Sequence, residues 1–192
     1  MISKNCFAVV AVALAVTAFS TSALVRWNLN APGPRASTAW VFKARSLSDL
    51  SAHSGAIVVA TAGASMHSRF AFSDGGEDSL PFEITEFTVL RSVVGPEPGS
   101  MIQVERAGGL DADGVTQVEI DADGGAFERG ATYVLFLREQ EEGPFYYQVN
   151  DQARYRVRND RLESLDHDDV VCGTLQGQST LVALDRIERS LP

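Results

Sequence analysis

From Ala56 onward the chain is a succession of short apolar runs, each closed by a cluster of Gly, Pro, Asp or Asn. Such runs are too short for helices of ordinary length and have the composition of strands. Ala56–Ala62 is Val-rich and compact. A break at Gly63–Ala64 precedes Arg69–Phe72, and Asp74–Asp78 is a turn. Phe82–Val94 follows, ending in Gly95-Pro96-Glu97-Pro98-Gly99, a strong turn sequence. Ile102, Val104 and Arg106 alternate with Gln103 and Glu105, which predicts a half-exposed strand. After Gly108–Gly114, Thr116–Ile120 alternates with Val118 and Ile120 inward, and Asp121–Gly125 turns again. Tyr133–Leu137 is apolar on both parities, as a strand covered on both faces should be. Phe145–Val149 and Arg154–Arg158 come next, and Asn159-Asp160 makes a hairpin turn into Arg161–Ser164. Within Phe82–Val94, Phe82 and Ile84 share one parity and Phe87 and Val89 the other, which predicts a bulge near Thr85–Glu86.

Helices are predicted at the two ends of this series. Ser46-Leu47-Ser48-Asp49 has a capping hydroxyl and a first-turn acid, and Gly55 keeps the helix short. At the other end Ser179 or Thr180 caps a helix whose stripe is Leu181, Leu184, Ile187 and Leu191. Seven or so short strands with a helix at each end predict a mainly β fold. The expected form is a small antiparallel barrel with a short N-terminal helix and a C-terminal capping helix. Closing the sheet removes exposed edges.

Ahead of the strands, Met1–Ala23 has the order of a secretory signal: Lys4 near the start, the apolar run Cys6–Phe19, then Ser20, Thr21, Ser22 and Ala23. Two readings stay open. One is a cleaved signal peptide. The other is an uncleaved membrane anchor extending through Val25, although Arg26 and Arg35 on its far flank favour the opposite orientation. Residues 24–45, with Pro32-Gly33-Pro34, read as a linker, and 46–192 as the domain. The expected location is the exported space, secreted, periplasmic or at the cell envelope, with N-terminal anchoring as the alternative. Membrane contact is expected only through the N-terminal segment, if it is uncleaved.

Charge narrows the partners. Residues 1–48 carry five positive charges and no Asp or Glu, so of the net −9 the remainder carries −14. Such a domain repels phosphate backbones, which argues against nucleic acid and leaves an unidentified protein or small molecule as partner. The two cysteines make no disulfide framework: Cys6 lies in the targeting segment, leaving Cys172 by itself.

The helix Ser46–His53, the strand Ala56–Ala62, Phe87-Thr88-Val89-Leu90 running to Val94-Gly95, the Pro98-Gly99 turn, the strand Gly130–Leu137, Tyr155-Arg156-Val157 and the final helix follow a familiar order. Over about residues 46–191 the chain resembles exported bacterial proteins of unassigned function with an OB-like barrel, similar to netrin-type and tissue-inhibitor barrels. The resemblance implies a fold and a compartment. It carries no protease inhibition, because the N-terminal chelating Cys and the several disulfides of tissue inhibitors are missing here.

Four constellations bear on chemistry. Asp111-Ala112-Asp113-Gly114 recurs as Asp121-Ala122-Asp123-Gly124. Carboxylates two apart before a Gly suit calcium, so Asp111, Asp113, Asp121 and Asp123 are the candidate metal ligands, with calcium as the sole cofactor considered. The same residues equally make two polar turns around Thr116–Ile120, and Gly130 stands where an EF-hand needs its bidentate Glu. Asp166-His167-Asp168-Asp169 with Cys172 lacks zinc-ligand spacing. Gly63-Ala64-Ser65-Met66-His67 has part of a nucleophile elbow without the second Gly. Tyr146, Tyr147 and Tyr155 with Arg154, Arg156 and Arg158 suggest an aromatic and basic sheet face. The sequence therefore points to a non-catalytic exported binding module. The alternatives are a calcium-dependent surface protein and, behind it, a hydrolase using Ser65, His67 and a carboxylate.

Overall fold

The computed structural model describes residues 35–36, 42–72, 79–120, 125–141, 144–165 and 169–192. The chain divides into two units, Met1–Gly33 and Pro34–Pro192, and the division falls inside the stretch read as a linker. The targeting segment 1–23 lies outside the described residues, as do the turn Asp74–Asp78, Asp121, Asp123 and Asp166–Asp168. Among the described residues no helix is long and apolar enough to cross a membrane.

The second unit is mainly β. In chain order it contains β1 (Arg35–Ala36), α1 (Leu47–Ala52), β2 (Ala56–Phe72), β3 (Ser79–Val94), β4 (Met101–Ala107), β5 (Gly109–Leu110) and β6 (Gln117–Ile120). Then come β7 (Thr132–Glu139), β8 (Tyr146–Gln148), a 3-10 turn (Asp151–Ala153), β9 (Arg154–Arg158), β10 (Arg161–Ser164), α2 (Val170–Leu175) and α3 (Thr180–Glu188). Seven strands form one sheet in the order β10-β9-β7-β2-β3-β4-β8, and β8 also pairs with β7. All pairings within it are antiparallel except β4 with β8.

The expected closed antiparallel barrel is therefore corrected. The seven-stranded sheet as a whole is not a closed barrel: β9 and β10 continue beyond β7, and β4–β8 is parallel. Gln117–Ile120 leaves the large sheet and joins β1 and β5 in a separate three-stranded one. The helices also differ from one at each end, since two of them, α2 and α3, follow the last strand.

The central strands are covered on both faces, which explains their unbroken apolarity. On one face Ala56, Val58 and Ala60 of β2 meet Tyr133, Leu135 and Leu137 of β7, with Phe87, Val104 and Phe127. On the other, Ile57 and Val59 meet Val134 and Phe136 under Leu50 of α1, Leu175 of α2 and Leu184 and Ile187 of α3. Burying one such side chain stabilises by roughly 1.5–3 kcal/mol.

The helices dock through caps and apolar stripes. Ser46 Oγ accepts from Asp49 N, and Ser179 Oγ from Val182 N. The buried stripe of α3 is Ala183, Leu184 and Ile187, whereas Leu181, expected inward, is 65% exposed. Leu181 lies in the first turn of α3.

The bulge expected at Thr85–Glu86 is displaced to the neighbouring strand. β3 pairs with β4 without interruption from Phe82 to Thr88, so alternation on β3 does not flip. Thr85 takes an interior position and Ile84 is buried on the other face. The extra residue sits on β2 instead: Ala62 pairs with Phe87 but Ser65 with Thr85, and a second irregularity separates His67 from Phe70. Gly63–Ala64 is thus a bulge inside one strand, and such bulges increase twist.

Candidate functional site

β2 outruns its second partner. Its pairing with β7 ends at Thr61, followed by a last exchange between Ala62 and residues 130–131. From Ser65 to Phe72 its backbone ladder is with β3 alone among the described residues. This projecting ribbon, β2 65–72 with β3 79–86, is an arm. Its β3 side is flanked by β4 and by Gly108, whose N–H donates to Pro81 O. Paired antiparallel residues share a face, so the register sorts the side chains.

One face of the arm carries Arg69, Phe82 and Ile84. The Arg69 guanidinium lies 4.2 Å from the centre of the Phe82 ring. Its Nε and Nη2 donate to Glu105 at 3.2 and 3.0 Å. Ser68 Oγ adds a bond of 2.7 Å to the same carboxylate, and Gln140 Nε2 approaches it at 3.5 Å. Glu105, expected half-exposed, is buried because these groups close over it. A bidentate, stacked Arg is geometrically fixed in a way a Lys would not be.

The opposite face carries a ring ladder. His67 and Phe70 stand 4.5 Å apart, Phe70 and Phe72 6.4 Å apart, and Phe72 is 66% exposed. Below the ladder, Glu83 accepts from Arg106 Nε at 2.7 Å. Arg106 Nη1 donates to Ala107 O, while its buried Nη2 has no hydrogen-bond partner among the described residues. The backbone of Gly108 passes so close, with φ +101°, that a Cβ there would lie 2.9 Å from Arg106 Nη1 and from Val118 O.

The residues singled out from the sequence fall as follows. Asp113 accepts from Val115 N and Thr116 N at 2.8 Å and from the Thr116 hydroxyl. That hydroxyl first, then the two amides, hold its carboxyl below the usual range. Asp111 accepts from Ala112 N on the same turn. Both therefore serve a polar turn, and Asp121 and Asp123 lie outside the described residues. Among the described residues no three His, Cys, Asp or Glu side chains are grouped to hold a metal ion.

Ser65 and His67 sit mid-strand rather than on an elbow. Ser65 Oγ bonds Thr85 Oγ1 at 2.8 Å, His67 stacks on Phe70, and the Glu83 carboxylate beside them is bonded to Arg106. The expected Tyr and Arg face divides. Tyr155 faces the helices and is fully buried, and burial first, then Cys172, pushes its phenol well up. Arg154 lies over the Phe127 ring at 4.6 Å and donates to Gly125 O. Arg156 pairs with Glu128, and Arg158 with Glu163. Tyr146 bonds Glu139, and burial, then that charge, raises its phenol.

Asp169 is the N-cap of α2, accepting from Val171 N and Cys172 N. It also accepts from Gln152 Nε2 at 2.9 Å and lies 3.1 Å from Lys43 Nζ. The same Gln152 side chain bonds both N and O of Ala44, mimicking a strand partner. Cys172 is buried.

The arm was missed at the sequence level. Arg69 and Glu105 are 36 residues apart, and no periodicity announces their meeting. The ladder had one signal, the i, i+2 spacing of Phe70 and Phe72 next to His67. Comparison with protein-family models, with curated proteins and with solved structures found no match.

Proposed function

We propose that this chain is an exported, non-catalytic binding module, with the β2–β3 arm as its contact surface. Export is supported by the targeting order of Met1–Ala23. The observation that carries the binding reading is the arm itself. A strand that runs on past β7 and turns Phe72 to solvent exposes apolar area that a free domain would bury. The face behind it is locked by the Arg69–Glu105 pair, so the rings are presented on a fixed support.

Site-specific photo-crosslinking in living cells tests this reading. A photoreactive residue at Phe72 or His67 is expected to give discrete adducts. The same residue at Leu181, exposed on α3 and outside the arm, is expected to give none. Adducts of equal yield from all three sites, or none from the arm, would rule the arm out as the contact surface.

A further inference from the structure

We propose that the ring face of the arm takes a cationic partner, a basic segment of another protein that lays an arginine or lysine on the exposed ring of Phe72; this rests on the arm being the contact surface. The two faces of the arm differ in what covers their rings. On the Arg69 face, the Phe82 ring lies under a guanidinium of the chain's own, 4.2 Å from its centre. In the core, Arg154 covers the Phe127 ring in the same way at 4.6 Å. Among the described residues no cation lies over Phe70 or Phe72, and Phe72 is exposed. An aromatic ring carries negative potential on its face, so a guanidinium or ammonium group fits it.

Charge points the same way. From Phe70 to Leu90 the sequence has Asp74, Glu77, Asp78, Glu83 and Glu86 and no Lys or Arg. The cations that flank this stretch are engaged: Arg69 with Glu105 on the other face, and the buried Arg106 with Glu83. Asp74 follows Phe72 by two residues, and Asp78 adjoins Ser79, the cross-strand partner of Phe72. Consecutive Cα atoms lie about 3.8 Å apart, so covalent connection alone keeps both acids within roughly 8 Å of these strand ends, about one screening length at physiological salt. A second copy would bring the same acids together, and a phosphate or an anionic lipid surface would meet them with like charge. A neutral apolar partner would strip water from the acids without replacing it. A basic segment offsets that cost and supplies the cation that the ring lacks.

Fluorescence anisotropy with the full chain and two synthetic peptides tests this, one peptide alternating Arg and Val and the other Glu and Val. The Arg peptide is expected to bind, more tightly in low salt than in high, and the Glu peptide is expected not to bind. Phe72→Leu keeps an apolar side chain and removes the ring, and should weaken Arg-peptide binding by roughly twofold to fivefold. Leu181→Ala, outside the arm, should leave it unchanged. Circular dichroism checks that each variant is folded, and Phe70→Leu takes the place of Phe72→Leu if the latter is not. Equal binding of the two peptides, no binding of either, or Arg-peptide binding that survives loss of the ring undiminished overturns the proposal. Such a result together with discrete crosslinks from the arm overturns the cationic partner and leaves the arm as contact surface. The same result with no arm crosslinks fails both.

Discussion

Gln148 is buried on β8, opposite Leu137, and neither the nitrogen nor the oxygen of its carboxamide has a hydrogen-bond partner among the described residues. Its neighbour in register belongs to the apolar core that Phe87 and Val104 fill. An amide left unsatisfied in such a place costs about 1–3 kcal/mol. Gln148→Met keeps the length and removes both groups, so it is expected to raise stability by about 1–2 kcal/mol. Urea denaturation measures it, and a loss of stability would mean that the amide holds something in the folded protein. Gly108 is the reverse case. Positive φ and a 2.9 Å approach to backbone at Val118 O leave no room for a Cβ. Gly108→Ala is expected to lower stability by about 1–3 kcal/mol, through strain and through displacement of the buried Arg106. A midpoint unchanged in the same titration would show that β5 can shift to accommodate it.

At the scale of elements, the β9–β10 hairpin was the most legible part of the sequence. Asn159 and Asp160 have φ of +50° and +59°, the double left-handed geometry of a two-residue hairpin turn. Arg158 pairs with Arg161 across it. In β9 Tyr155 and Val157 alternate with Arg154, Arg156 and Arg158, and both face the helices. A β-branched residue resists the left-handed region, so Asn159→Ile is expected to cost about 1–2 kcal/mol. Thermal melting reads that loss; a matched Asn159→Gly variant should keep most of the stability. The bulges were less legible, for a physical reason. Alternation on one strand reports which face a residue occupies, but an extra residue on the partner leaves that pattern intact. The register of Ala62 and Ser65 against Phe87 and Thr85 exists only once the strands have paired.

At the scale of the whole molecule, Asp169 and Asp151 connect the entering segment, the 3-10 turn and α2. Burial works to raise the Asp169 carboxyl, but Cys172 N, Gln152, Lys43 and Val171 N together outweigh it and hold it below the usual range. A depressed carboxyl stabilises the fold above its unfolded pKa, and that contribution is lost as pH falls through the folded value. Asp169→Asn should therefore destabilise most at neutral pH, with the gap to the parent closing below about pH 4. Asp151 has the opposite sign. Burial raises its carboxyl, Lys43 works against that, and Asp169 reinforces it. Ionised at neutral pH it works against folding, and the penalty vanishes below the ordinary carboxylate range. Asp151→Asn should stabilise at neutral pH and converge with the parent in acid. Denaturation midpoints across pH check both, and parallel curves for either variant would contradict its assignment.

What the chain determined by itself was local. A compact Val-rich run marked β2 as a strand, apolarity on both parities marked β7 as one covered on two faces, and Ser46, Ser179 or Thr180, and Asn159-Asp160 marked caps and a turn. These follow from backbone preferences and short-range hydrogen bonds, which a few adjacent residues specify. The tertiary structure decided which strands meet. It sent Gln117–Ile120 to a second sheet, set β4 parallel to β8, and buried Glu105 under Arg69. Among the described residues it also left β2 without a second partner beyond Ala62, which made the arm. Those outcomes depend on pairings between residues tens of positions apart. Each is chosen by the fit of whole surfaces, and no window of sequence contains it.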